Sequence, residues 1–370
     1  MPHRRAARIF TAILVGMVLL ILIAHFVLAW RFDTSHLQQR LEAMVAERSD
    51  SLYRVRIGRS HFSLLGRFFE IADLELFPDT AAITRRDKAG GEVPHTRYLV
   101  TATSLRMDGL ALRQLFRRRL SARSAAIDSL RLEIRVDRTL PRSPDTPARL
   151  PHQVLQESPP LLIDQLRIAH SRIEFMERAI DGSRFATLPF SELDAVITNV
   201  TADPLRMSRA RPCEITVRTR FAGASDMLAR LQYDLSAKRL NLAYHVSFGP
   251  MKAAALNQFL VDLEGVRIRE GQLDSAVLKA DVRDDLARGD LLLLYHDLEV
   301  ETLDKISRDR SLQDKVQTFI FNNFKLRTHN PPDDKPPVRA AILLRRQPEN
   351  PLFKFLWLTL RAGVVETLGI

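Results

Sequence analysis

The sequence predicts a mainly β protein. A strongly twisted antiparallel sheet, curled into an apolar groove, follows an N-terminal transmembrane helix and ends in a C-terminal amphipathic helix. Three observations carry this reading. Apolar and polar residues alternate with strand period over most of the chain, few stretches have helical spacing, and one early apolar run is long enough to cross a bilayer.

That run extends from Ile9 to Trp30, broken only by Thr11, Gly16 and His25. As a helix it rises roughly 33 Å, which matches a hydrocarbon core of about 30 Å. A cleavable signal peptide is the rival reading, but its apolar core would be shorter and no small-x-small cleavage site follows Trp30. Arg4, Arg5 and Arg8 precede the run, whereas Arg31 beyond it is answered by Asp33. The positive-inside bias therefore keeps residues 1–8 in the cytoplasm and exports the rest, with Trp30 at the outer interface. His25 has no second ionisable group in the span and is no proton relay.

Thr34 to Arg48 carries Leu37, Leu41, Met44 and Val45 at helical spacing, just outside the membrane. Strand alternation then dominates. Leu130, Leu132, Ile134 and Val136 alternate with Arg131, Glu133, Arg135 and Asp137; Cys213, Ile215, Val217 and Phe221 alternate with Glu214, Thr216, Arg218 and Arg220. Leu240, Leu242, Tyr244, Val246 and Phe248 do the same against Asn241, His245 and Ser247. Less regular strands are predicted between Tyr53 and Met107, between Leu162 and Val200, between Leu228 and Tyr295, over Phe319 to Leu326 and over Val338 to Leu344. Such alternation means antiparallel pairing with one wet face, because a parallel sheet buried on both faces reads as unbroken apolar runs. Prolines 141, 144, 147, 151, 159 and 160 mark a long loop, and Pro351 opens the last helix, with Leu352, Phe355, Leu356, Leu360 and Val364 on one face. The predicted organisation is a tail (1–8), an anchor (9–30), a first module (31–138), the Pro-rich loop (139–160), a second module (161–350) and the terminal helix (351–370).

Lys and Arg exceed Asp and Glu by 55 to 44, an arginine-rich surplus suited to anionic headgroups or nucleic acid; the exported topology favours lipid. The densest cluster, Arg117, Arg118, Arg119 and Arg123, closes a predicted helix and reads either as a C-terminal dipole partner on a solvated face or as a membrane-surface contact. The lone Cys213 excludes an internal disulfide framework.

Met107, Ala111, Leu112 and Gln114 recur at a constant offset as Met251, Ala255, Leu256 and Gln258, each set after a strand and before two more. Either the two modules are related, or helices between strands simply favour Ala, Leu and Gln. The order of elements resembles the AsmA-like group of bacterial envelope proteins, relatives of TamB and other repeating β-groove proteins. The resemblance rests on the anchor, the juxtamembrane helix and the strands around Tyr53 to Phe77. It also rests on a C-terminal block holding Phe248-Gly249-Pro250-Met251, Ile268 to Asp274, Leu294 to Val300 and Leu368-Gly369-Ile370. It implies an inner-membrane, single-pass protein with most of the chain in the periplasm, an apolar β-groove, and a part in phospholipid movement or outer-membrane integrity. The bridge-like members are several times longer, so this chain is not expected to form a complete conduit.

No enzyme motif is present: there is no G-x-S-x-G, no G-x-x-x-x-G-K-[ST] and no H-E-x-x-H. His296 and Asp297 are neighbours on a predicted strand and point to opposite faces, while Asp284, Asp285 and Asp290 flank a predicted hairpin with Gly289. No catalytic residue, cofactor, metal site or nucleic-acid partner is expected. Two functions remain. In the first, Leu132, Ile134, Val136, Leu242, Tyr244, Val246 and Phe248 line a groove for phospholipid acyl chains, with Arg4, Arg5, Arg8 and Trp30 at the membrane interface. In the second, the chain is an envelope scaffold with a closed core whose edges or last helix recruit a protein partner.

Overall fold

The computed structural model describes residues 33–91, 93–117, 119–137, 139–140, 148–157, 160–178, 184–204, 206–263, 265–303 and 327–369. The predicted tail and anchor, with Arg4, Arg5, Arg8 and Trp30, and the strand predicted over Phe319 to Leu326 lie outside these residues. No helix among the described residues is long and apolar enough to cross a membrane.

The chain runs α1 (Thr34–Arg48), β1 (Tyr53–Arg56), β2 (Arg59–Ser63), β3 (Phe68–Pro78), α2 (Thr80–Lys88), β4 (Thr96–Asp108), α3 (Leu112–Phe116), β5 (Leu120–Asp128), β6 (Arg131–Asp137) and α4 (Pro151–Gln156). It continues through β7 (Leu161–Arg178), β8 (Phe185–Thr201), β9 (Cys213–Phe221), β10 (Ser225–Tyr233), β11 (Leu242–Phe248) and β12 (Met251–Lys252). A 3-10 turn (Ala253–Leu256) leads into α5 (Asn257–Leu263), followed by β13 (Val266–Arg283), β14 (Leu286–Thr302), β15 (Arg339–Arg345) and α6 (Leu352–Leu368). All 15 strands join one sheet.

The sheet is mixed, which corrects the wholly antiparallel expectation. β5 and β6 lie end to end between β4 and β7, and both pair with β7 in parallel. β7 starts at the same end of the sheet as β5, so a crossover lies between Asp137 and Leu161, and it holds α4 where only loop was predicted. It also welds the two predicted modules edge to edge. α2, β2 and β5 are further elements that alternation missed. Asp79 caps α2, accepting from the Ala82 N–H at 3.0 Å and pairing with Arg54. The arginine cluster begins at the end of a helix, with Arg117 as the C-cap of α3, while Arg119 lies beyond it and Arg123 within β5.

Left-handed residues mark a line of bends across neighbouring strands: Asp73 on β3, Ser129 between β5 and β6, His170 on β7 and Glu192 on β8. Pairing slips by bulges beside the last two. Side chains stitch the line together. Leu130 N–H donates to Ser171 Oγ at 3.0 Å, and His170 Nδ1 sits 2.7 Å from Asp128 Oδ1.

Candidate functional site: one apolar face in two parts

Cross-strand partners point to the same side of a sheet, so register alone assigns faces. Leu132 and Ile134 pair with Ile173 and Phe175 on β7, which pair with Phe190 and Leu188 on β8. Phe190 pairs with Phe221, and the ladder continues through β10 to Leu242, Tyr244, Val246 and Phe248 on β11. All seven predicted lining residues therefore share one face of one sheet, but in two different settings.

Leu242, Tyr244 and Phe248 are buried in the core beside α6, and Val246 packs against that core while partly exposed. Leu242 is 2% exposed, and the Tyr244 hydroxyl hydrogen-bonds Thr359 Oγ1 of that helix. α6 docks closely because Gly363 presents no side chain: a Cβ there would come within 2.7 Å of Leu291 Cβ. Arg327 holds the far end, donating from Nη1 to the Thr367 carbonyl at 2.9 Å, and Gly369 caps the helix in the left-handed conformation. Phe355, wholly buried, anchors the helix on the core.

Of these four residues only Phe248 borders the cavity under this roof. The cavity encloses about 200 Å³ between Ala276 of β13, Leu293 of β14, Leu260 of α5, and Trp357 and Val364 of α6. Its walls are apolar apart from Arg361 and Tyr295, whose hydroxyl turns away to donate to the Arg327 carbonyl at 2.8 Å. Leu260, Val300 and Leu368 at its edge remain partly exposed. Leu360 and Val364 were legible in the sequence as part of the last helix's apolar stripe, whereas Trp357 was not singled out. Ala276 and Leu293 were predicted strand residues with nothing to distinguish them.

Leu132, Ile134 and Val136 belong to the other part. With Tyr98 and Val100 of β4 and Ile173 and Phe175 of β7 they form an apolar strip. Val136 is buried, Leu132 and Ile134 are partly exposed, and Tyr98 is 42% exposed. The strip and the cavity meet through aromatic contacts: Phe175 lies 6.2 Å from Phe259 of α5, which stacks edge-on at 5.3 Å against Trp357.

The titratable groups nearby give no sign of an activated nucleophile or base. Burial pushes the Cys213 thiol up to about 11 and the Tyr244 hydroxyl up to about 12. His152 of α4 is fully buried with Nδ1 2.7 Å from the Tyr233 hydroxyl; burial lowers its pKa and raises that of Tyr233. Asp285 and Asp290 pair with Arg346 and Arg339, and Asp284 and Asp285 take the left-handed conformation of the hairpin turn. His296 Nδ1 lies 3.1 Å from Asp274 across the ladder. Among the described residues, no group of three or more His, Cys, Asp or Glu side chains could hold a metal ion.

No protein-family model matches the chain, and no curated protein matches it significantly.

Proposed function

We propose that this chain is a non-catalytic, membrane-tethered protein that accepts the hydrocarbon of a phospholipid on its apolar face, guiding lipid or supporting outer-membrane assembly from the periplasmic side of a bacterial inner membrane. The cavity under α6 carries this reading. Its volume of about 200 Å³ exceeds the ~150 Å³ of an apolar cavity that holds one benzene. That suits the end of a single acyl chain and not a whole lipid, whose remaining methylenes would lie along the neighbouring strip. Each methylene taken from water contributes about 0.8 kcal/mol and needs no polar partner, so apolar walls suffice for such a guest. The tether is supported by the length and flanking charge of residues 9–30, and the AsmA-like order of elements agrees with the whole.

The second reading, an envelope scaffold, is favoured by the density of the core, where Leu240, Leu291 and Phe355 are fully buried. Lipid analysis separates the two. The full chain, purified in mild detergent, is expected to carry phospholipid detectable by mass spectrometry, and Ala276→Trp, which fills the cavity, is expected to lose most of it. A photo-crosslinking residue at Ile134 should label lipid in membranes. Absence of both the co-purifying lipid and the crosslink would leave the scaffold reading.

A further inference from the structure

Several arginines of the described sheet are answered by carboxylates, although Arg59, Arg167, Arg218, Arg230, Arg288 and Arg345 form no ion pair among the described residues. Arg54 meets Asp79, Arg131 and Arg135 meet Glu133, Arg178 meets Asp137, and Arg269 meets Glu301. One end of the sheet is rich in the unpaired kind. Residues 109–123 contain five arginines and residues 204–213 three, with no Asp or Glu in either stretch. Arg113, Arg117, Arg119, Arg206, Arg209 and Arg211 make no salt bridge among the described residues, and all six are exposed. Asp108, just before the first stretch, is already taken by Arg106 at 2.9 Å.

The fold brings the two stretches to the same end of the sheet. Arg119 and Arg206 line the same shallow recess with Gln114 and Asp203. Beside them the β2–β3 turn is tied to the segment before α3 by two bonds, Leu110 N–H to the Arg67 carbonyl at 2.9 Å and Arg67 Nε to the Leu110 carbonyl at 3.0 Å. The tip of that turn is Leu65, 81% exposed, the most exposed large apolar side chain described. Cationic side chains around a protruding leucine match a surface whose outside is anionic and whose inside is hydrocarbon.

The orientation of α1 supplies the geometry. Ser60 N–H donates to Thr34 Oγ1 at 2.9 Å, whereas Tyr53 N–H donates to Ser49 Oγ at 3.1 Å. α1 therefore runs antiparallel to β1 and β2, and its N-terminus points to the same end of the sheet as Leu65. The apolar run 9–30 finishes three residues before Asp33, the N-cap of α1. Three residues span at most about 10 Å, so a segment leaving a bilayer at Trp30 delivers the body with its arginine end toward the leaflet it has just left.

We propose that this arginine-lined, leucine-tipped end is a docking surface for an anionic bilayer, holding the open end of the apolar face at a fixed height above the lipid. The inference rests on the tether of the proposed function, and the two fail separately. The test uses the full chain carrying an environment-sensitive fluorophore at Leu65→Cys, reconstituted in vesicles of phosphatidylcholine alone or with about a third phosphatidylglycerol. Cys213 is buried and does not compete for label.

The probe is expected to shift to the blue and to be quenched by brominated acyl chains in the anionic vesicles only, with the shift lost in 0.5 M salt. A label at Leu343→Cys, 70% exposed on β15, should not respond. Near an anionic surface each arginine adds about fivefold to partitioning, so Arg117→Gln with Arg206→Gln is expected to lower the docked fraction more than tenfold. Equal signals in neutral and anionic vesicles, an equal response at Leu343→Cys, or a response to added RNA and not to vesicles would overturn the proposal. Alkaline carbonate extraction reads the tether independently. Protein washed off after showing the anionic shift keeps the docking surface and loses the anchor, whereas protein retained without the shift keeps the anchor and loses the docking surface.

Discussion

Over β8 to β15 the apolar face is roofed, whereas over β4, β6 and the adjoining half of β7 the same face lies partly open. The strands on both sides carry similar alternation: Leu132, Ile134 and Val136 read like Leu242, Tyr244 and Val246. Yet Leu242 is 2% exposed, while Ile134 keeps part of its surface in water. The difference comes from α5 and α6, whose apolar stripes pack on β8 and β13 to β15 and stop at Phe353, 5.0 Å from Phe175. A strand pattern specifies which face is greasy, and only the reach of the helices decides whether that face becomes core or surface.

The sharpest way to break this contrast is to truncate one residue on each side. Phe355→Ala is expected to cost about 3–5 kcal/mol, because a wholly buried ring leaves a cavity that its surroundings fill poorly. Ile134→Ala should cost about 1 kcal/mol, since part of its side chain is already hydrated. Urea unfolding of both variants checks the ratio, and equal losses would mean that the strip is packed as tightly as the core. A second change attacks the roof itself. Gly363→Val places a branched side chain against Leu291 and Ile342, and overpacking of this kind costs about 1–3 kcal/mol. It should also raise the hydrogen exchange of α6 selectively while leaving β4 to β7 protected.

The smallest effect lies at the bend beside the open half. The hydrogen bond to Asp128 raises the pKa of His170 above its ordinary 6.5, and the same contact lowers that of Asp128 below 3.8. The histidine's contribution is intact below about 6.5 and fades as pH rises through its raised value. The aspartate's contribution is intact above about 3.8 and fades as pH falls through its lowered value. The pair is therefore strongest between those limits. An NMR titration of the imidazole should show its pKa falling toward 6.5 in Asp128→Asn; an unchanged titration would remove the pair from the bend.

Much of this was legible in the chain. The helix from Thr34 to Arg48, the last helix opened by Pro351, and the strands around Leu132, Ile215 and Tyr244 appear where periodicity places them, because burying one stripe or one face demands that spacing. The apolar side of each strand was legible for the same reason. β2 was lost because Arg59, Ser60, His61 and Ser63 leave only Phe62 to declare a buried face. α2 was lost because Ile83 is its single buried residue, and its stability comes from the Asp79 cap and not from an apolar stripe. β5 was masked by its small residues, Ala122 and Ala125, and by the arginines before it.

By itself the amino-acid order determined the mainly β fold class, the greasy side of the regular strands and the two longest helices, since these follow from side-chain periods of 2 and 3.6 that act over a few residues. Tertiary structure alone decided that β7 lies parallel to β5 and β6, that the roof stops at Phe353, and that Arg119 and Arg206, about 90 residues apart in the chain, line one recess. Such outcomes depend on which distant surfaces bury each other, and no local spacing records that choice.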